Sequence, residues 1–124
     1  MIQQQTRVKI LDNSGAKYVK CIQSMSNKKF ATLGGHIIVT VKELRTKSKR
    51  TSKVSKGDVY KAIITSTKSF FKRKDGSTVR FGNNSAILTC KLGKTIGTRV
   101  LGPLPRLLRR TKFIKLASIS TGFI

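Results

Sequence analysis

Acidic residues are almost missing from this chain. Among 124 residues, Asp and Glu together number 4 while Lys and Arg number 27, so the formal net charge is +23 at pH 7. Because so much charge of one sign opposes compaction, we expect the chain to bind a polyanion. Nucleic acid is favoured over a membrane, because no apolar stretch approaches spanning length.

Residues that perform chemistry are also scarce. The single histidine, His36, opens an apolar stretch, where a packed or edge histidine is favoured over a general base. The few carboxylates are scattered and form neither a metal site nor an acid/base pair by spacing. "GKT" at 93–95 resembles the end of a phosphate-binding loop, but Leu88 stands where that motif requires glycine. We therefore predict a protein that is not an enzyme and needs no cofactor or metal.

Cysteine usage and the first residues bear on the compartment. Cys21 and Cys90 are far apart, belong to no metal-ligand spacing, and each lies in an alternating apolar pattern. This predicts two buried, reduced thiols rather than a disulfide, and hence a reducing compartment. The opening "MIQQQTRVKI" has neither a secretory apolar core nor the pattern of an organelle import peptide. We expect the chain to be used where it is made.

Strand signals dominate the rest of the pattern. "KYVKCIQSM", "HIIVTVKEL", "DVYKAIITSTK" and "AILTCKL" alternate apolar and polar residues, with Val19, Cys21 and Met25 on one face of the first. Turn residues separate these segments. Short strands at this spacing predict a single domain over 1–124 that is mainly β, a small closed barrel of five strands.

Asp75 and Gly76 predict a hairpin. Both residues tolerate the positive φ of a two-residue type I′ turn. That turn would pair Lys74 with Ser77, Lys72 with Val79, Phe70 with Phe81, Arg73 with Thr78 and Phe71 with Arg80. The expected result is a basic ribbon that projects from the barrel.

The pattern changes after residue 102. Pro105 can occupy the first turn of a helix, which would place Arg106, Arg109 and Arg110 on one side. "RLLRRTKFIKLAS" therefore predicts two short helices broken near Thr111, with Leu107, Leu108, Phe113, Ile114 and Leu116 as apolar contacts. We expect 1–102 to form the barrel with its basic loop and ribbon, and 103–120 the short helices.

Cations concentrate in a loop, the ribbon and the tail. The loop within "LRTKSKRTSKVSKGD" contains no acid between Arg45 and Lys56, and such a stretch becomes ordered only against a polyanion. Lys outnumbers Arg, which suits contact with the backbone of a folded RNA more than base reading. The predicted RNA-binding residues are Arg45, Lys47, Lys49, Arg50, Lys53, Lys56, Lys72, Arg73, Lys74, Arg80, Arg106, Arg109 and Arg110.

Several segments resemble one known family. "MIQQQTRVKILDNSGAKYVKCI", "KVSKGDVYKAIITSTK", "KDGSTVRFGNNSAIL", "IGTRVLGP" and "PRLLRRTKFIKLAS" follow in the order found in large-subunit ribosomal protein fourteen, the universal L-fourteen family. The resemblance covers about residues 1–120. It implies a five-stranded barrel with a ribbon and small C-terminal helices, bound to large-subunit rRNA on the face that meets the small subunit.

The resemblance also implies partners and a second site. Expected partners are small-subunit rRNA across an inter-subunit bridge, large-subunit ribosomal proteins three and nineteen, and the ribosome-silencing factor. The positions that match this face are Thr98, Arg99, Lys115 and Ser118.

Departures from the family pattern bear on origin. Gln4, Gly35 and Leu107 stand where the family usually has acids, and "STGFI" replaces a more acidic ending. The basic loop from Arg45 to Lys56 is about four residues longer than in typical bacterial relatives. These features favour an organelle-encoded protein of the mitochondrial matrix, with the bacterial cytoplasm as the alternative. The alternative function is a free-standing RNA chaperone or architectural nucleic-acid-binding protein.

Overall fold

A closed barrel of five strands forms the centre of the protein. The computed structural model describes residues 1–26, 28–46, 51–109 and 113–124. The barrel order is β1-β2-β3-β4-β7, in which parallel pairing of β1 with β7 closes the ring and the other neighbours are antiparallel. The strands are β1 Arg7–Ile10, β2 Ala16–Ser24, β3 His36–Leu44, β4 Val59–Ser66, β5 Phe71–Lys72, β6 Thr78–Val79 and β7 Ser85–Thr89. The predicted barrel is confirmed.

The barrel interior follows from alternation along the strands. Val39 and Val41 of β3 point inward with Val8 of β1 and Val19 of β2, and all four are fully buried. Aliphatic side chains fill such a small interior in well-defined rotamers. Met25 is an exception to the predicted face, because the pairing of β2 with β3 shifts between Cys21 and Gln23 and leaves Met25 exposed.

Strands β4 and β7 differ from the expected one-sided pattern, since both are buried on both faces over most of their length. A second apolar cluster covers their outer side, where Ile63 and Ile87 pack with Leu104, Leu108 and Leu116 of the C-terminal segment. A strand enclosed on both faces can be apolar at successive positions. The C-terminal segment is therefore part of the hydrophobic structure and not an appended tail.

Two short helices form the C-terminal segment, as predicted. The first, Arg106–Arg109, is a 3-10 helix in which the Leu108 N–H donates to the Pro105 carbonyl at 2.9 Å, and the second, α1, is Ile114–Ser118. The predicted break at Thr111 lies outside the described residues, as does Arg110. Ile114 was expected to make apolar contacts but is 60% exposed, so this detail of the prediction is wrong.

The hairpin β5–β6 has a register one residue away from the predicted one. Phe71 pairs with Val79 and Lys72 with Thr78. Only Gly76 has a positive φ, +85°, and the Arg73 N–H donates to the Ser77 carbonyl at 2.8 Å, which gives a three-residue loop instead of a type I′ turn. The Asp75 carboxylate accepts both the N–H and the hydroxyl of Ser77, and this local bonding favours the longer loop.

The two cysteines do not share one environment. Cys21 is buried as predicted, and burial raises the pKa of its thiol. Cys90 is exposed, which contradicts the prediction, because β7 ends at Thr89 and the chain turns there. Its backbone N–H instead donates to the Lys94 carbonyl at 2.7 Å. Both thiols are free, as expected.

A buried carboxylate joins the first turn to the last barrel strand. Asp12 is fully buried, and its Oδ2 accepts the Leu88 N–H at 2.9 Å while its Oδ1 accepts the N–H and hydroxyl of Ser14. Gly97 lies against this carboxylate so closely that a Cβ there would be 2.6 Å from the Asp12 Cβ. The approach requires glycine, because real Cβ atoms do not come this near to another carbon.

We predict that Gly97→Ala lowers the free energy of unfolding by about 1–3 kcal/mol, the usual cost of overpacking a dense site. Urea denaturation followed by circular dichroism measures the change. Gly82→Ala is the matched control, since a Cβ at Gly82 would meet nothing within 4 Å. Equal stability of the two variants would show that the structure around Gly97 accommodates the added methyl group without loss of stability.

Candidate nucleic-acid interface

The ribbon and the C-terminal segment share one groove. An open groove of about 460 Å³ is lined by Phe71, Lys72, Arg73, Lys74, Asp75, Arg106 and Leu107. Two clusters of basic residues that lie about thirty residues apart in the sequence therefore form a single basic surface, which we call the ribbon groove. Lys72, Lys74 and Arg106 are exposed, and Arg73 is partly buried.

Asp75, the acid in the ribbon groove, forms no ion pair within 4.0 Å with the described cations of the groove. The hydroxyl and then the N–H of Ser77 bind the Asp75 carboxylate and lower its pKa. The described residues form one ion pair within 4.0 Å, between Arg7 and Glu43, and neither residue lines the groove. The cations of the ribbon groove are thus available to an external anion such as phosphate.

Arg80 lies at the base of the ribbon. Its Nε donates to the Lys68 carbonyl at 3.1 Å, and its guanidinium lies 5.1 Å from the centroid of the Phe70 ring. Phe70 is 70% exposed. The predicted pairing of Arg80 with Phe71 is wrong, and the aromatic ring beside Arg80 is that of Phe70.

The two ends of the predicted basic loop are fastened to the turn that follows β1. An Nη of Arg45 donates to the Ile10 carbonyl at 3.1 Å, and the Lys53 N–H donates to the Ser14 carbonyl at 2.9 Å. Lys53 Nζ lies 3.4 Å from the Ile96 carbonyl, and Lys56 is exposed. Arg45 therefore helps to position the loop. The remaining predicted cations of the loop, Lys47, Lys49 and Arg50, lie outside the described residues.

Two of the four residues matched to the second site, Thr98 and Arg99, lie beside Asn13. The Asn13 Oδ1 accepts the N–H groups of Thr98 at 2.7 Å and Arg99 at 3.2 Å, and its Nδ2 donates to the Thr98 hydroxyl at 2.8 Å. The next residue, Val100, donates its N–H to the carbonyl of Ile119, directly after α1. We call this exposed set the Thr98 face; its members are Thr98, Arg99, Lys115 and Ser118.

Sequence reasoning missed some neighbours of these residues. Asn13 carried no functional prediction, although its side chain binds Thr98 and Arg99. Lys94 and Thr95, dismissed as a false phosphate loop, line a groove of about 550 Å³ with Lys115. Their closeness depends on how the C-terminal segment packs on β7, for which the sequence carries no short-range signal.

The described residues give no support to other site classes. His36 is an exposed residue at the start of β3, with its ring 5.8 Å from that of Phe113. Within the ranges described above, no three His, Cys, Asp or Glu side chains are placed to hold a metal ion. The same ranges contain no helix of sufficient length and apolarity to cross a membrane.

Comparison with known families gives a match over the whole chain. The model of one family, described as ribosomal protein L14p/L23e, matches residues 1–124. The match spans the barrel, the ribbon and the C-terminal segment together. The chain belongs to the ribosomal protein L14p/L23e family.

Proposed function

We propose that this protein binds large-subunit rRNA through the ribbon groove and contributes the Thr98 face to contacts with the small subunit. Family membership makes the chain a structural, rRNA-binding constituent of the large ribosomal subunit. The observation that carries the finer proposal is the convergence of Lys72, Arg73, Lys74 and Arg106 on one groove. Lysine and arginine side chains on such a surface neutralise phosphates irrespective of sequence.

The Thr98 face suits a contact between two large bodies. Asn13 holds the backbone of Thr98 and Arg99, and the Val100–Ile119 hydrogen bond ties this segment to the residue after α1. A rigid polar surface loses little entropy when it docks. Small-subunit rRNA across a bridge is the proposed partner, and the ribosome-silencing factor is a proposed competitor for the same face.

Further assignments follow from the sequence. Ribosomal proteins three and nineteen are proposed neighbours in the particle. The shortage of acids and the altered family positions Gln4, Gly35 and Leu107 favour the mitochondrial matrix over the bacterial cytoplasm. The basic loop, whose ends lie beside the first turn, is a proposed additional rRNA contact.

The Thr98 face is tested by removing its two cations. Arg99→Ser combined with Lys115→Ser should weaken association of the subunits about tenfold, since two exposed phosphate contacts are lost. The Asn13 bonds use the backbone of Arg99, so we expect the fold to survive. Light scattering of mixed subunits measures association, and sedimentation reports whether the large subunit still contains the protein.

The control is the double variant Lys17→Ser with Lys42→Ser, which replaces two exposed lysines of the barrel and changes the net charge by the same amount. Association that falls equally in both double variants would refute a specific bridge role for the Thr98 face. Loss of the protein from the large subunit would instead assign these cations to assembly.

The rival function, a free-standing RNA chaperone, predicts a different distribution in the cell. A constituent of the ribosome should sediment almost wholly with large subunits at moderate salt. A major pool of free protein in the same gradient would favour the rival.

A further inference from the structure

A third groove lies beside the N-terminal segment, apart from the predicted clusters of basic residues. It has a volume of about 750 Å³, and four glutamines line it, Gln3, Gln4, Gln5 and Gln23. Its other lining residues are Ser24, Ser26, Lys28, Lys29 and Phe30. Phe30 is 44% exposed, and the lysines and glutamines are exposed as well. We call this the glutamine groove.

The backbone around the glutamine groove is held at two points. Ile2 is fully buried and exchanges hydrogen bonds with Ala31 at 2.8 and 2.7 Å, which places Gln3 opposite Phe30. Farther along, the Gln5 N–H donates to the Cys21 carbonyl at 2.8 Å. Between these points the chain forms a tight turn closed by the Thr6 N–H and the Gln3 carbonyl at 3.3 Å.

Two backbone irregularities converge on this groove. Gln5 is the only non-glycine residue of the described ranges with a positive φ, +69°. The register of β2 against β3 shifts between Cys21 and Gln23, a bulge that re-aims the following side chains. Such conformations carry a cost and are concentrated at functional sites, so their coincidence beside four amides suggests a ligand.

The side chains suit an unpaired nucleotide. Each glutamine amide offers both donors and an acceptor, which matches the mixed pattern on the edge of a base. An exposed phenylalanine supplies the surface on which splayed-out RNA bases stack. Lys28 and Lys29 line the same groove and can neutralise the adjoining phosphates. An acidic or apolar peptide would leave the array of amides without its complement.

We propose that the glutamine groove binds a single-stranded segment of RNA, with one base stacked on Phe30, its edge hydrogen-bonded by the glutamine amides, and its phosphates against Lys28 and Lys29. This site is distinct from the ribbon groove and the Thr98 face, whose proposed contacts are to RNA backbone. It adds recognition of an unpaired base to the rRNA binding of the family, and it does not depend on the bridge role.

The test compares two RNA probes that carry the same number of phosphates, a short oligoadenylate and a blunt-ended duplex without unpaired bases. Fluorescence anisotropy measures the affinity of the full-length protein and of Phe30→Leu for each probe over a series of salt concentrations. We expect Phe30→Leu to weaken binding of the oligoadenylate about tenfold, the effect of one lost base–aromatic stack, and to leave the affinity for the duplex unchanged. The salt dependence should stay the same, because no cation is removed.

Gln4→Leu provides a second variant at an exposed position and should weaken oligoadenylate binding severalfold with the same selectivity. Leu92→Ala is the control, since it removes an apolar side chain that is 88% exposed and lies outside the groove. Equal affinity of Phe30→Leu and the unchanged protein for oligoadenylate would overturn the proposal. An equal loss for both probes would also overturn it, because a general disturbance of the surface is not base recognition.

Discussion

Asp12→Ala should lower the free energy of unfolding by about 3 kcal/mol, the cost of leaving two buried N–H donors without acceptors. The Asp12 carboxylate accepts hydrogen bonds from Leu88 in β7 and from Ser14 in the turn after β1. Its removal therefore disturbs the place where β1 and β7 close the barrel. Urea unfolding of the purified protein at neutral pH, followed by circular dichroism, measures the loss.

Asp58→Ala is the matched control for Asp12→Ala, because both changes raise the net charge by the same amount. Asp58 is exposed and accepts hydrogen bonds from Ser55 and Tyr60 that water can replace. We expect it to cost less than about 1 kcal/mol. If the two variants were equally destabilised, overall charge and not the buried acceptor would account for the effect.

Replacing Lys72, Arg73, Lys74 and Arg106 together with Gln should weaken binding to paired rRNA about a hundredfold to a thousandfold at physiological salt. Each phosphate contact contributes roughly 0.9 to the slope of log K against log salt, so the slope should become shallower by about 3.6 if each cation meets a phosphate. Titration of a large-subunit rRNA fragment with the purified protein over a series of salt concentrations measures both quantities.

A second quadruple variant controls for charge alone. Lys9, Lys17, Lys42 and Lys91 are exposed lysines outside the ribbon groove, and their replacement by Gln removes the same net charge. We expect this variant to retain most of its affinity. A similar loss in both variants would mean that diffuse charge, and not the convergence of the ribbon with the 3-10 helix, determines binding.

Prediction from sequence was most successful where the signal is local. Alternation with period two located the principal strands, because successive side chains of a strand point to opposite faces. It was less successful at the ends and irregularities of strands. Cys90 fits the apolar alternation but follows the end of β7, and Met25 follows the bulge of β2. Periodicity says nothing of where pairing stops or shifts.

The hairpin shows how a correct turn can still have a wrong register. Asp75 and Gly76 do form the turn, but Asp75 uses its carboxylate to hold Ser77 and only Gly76 adopts a positive φ. The loop gains one residue, and a shift of one residue moves each side chain to a different partner. Phe71 consequently faces Val79 instead of Arg80.

The candidate sites were only partly accessible to sequence reasoning. The composition of the ribbon and the tail indicated phosphate binding, but nothing local indicated that Arg106 lines the same groove as Lys72. The Thr98 face came from a family resemblance, and its dependence on Asn13 came from the structure. The glutamine groove carries no concentration of charge and was not predicted.

The amino-acid sequence by itself determined the class of fold, the need for a polyanionic partner and the family, because strand alternation, turn residues and net charge are properties of neighbouring residues and of composition. Tertiary structure decided which distant segments meet: the C-terminal segment on the outer side of β4 and β7, Arg106 beside the ribbon, and Asn13 beneath Thr98. These long-range contacts depend on the packing of apolar surfaces and on a few buried hydrogen bonds throughout the barrel. No short stretch of sequence specifies that packing.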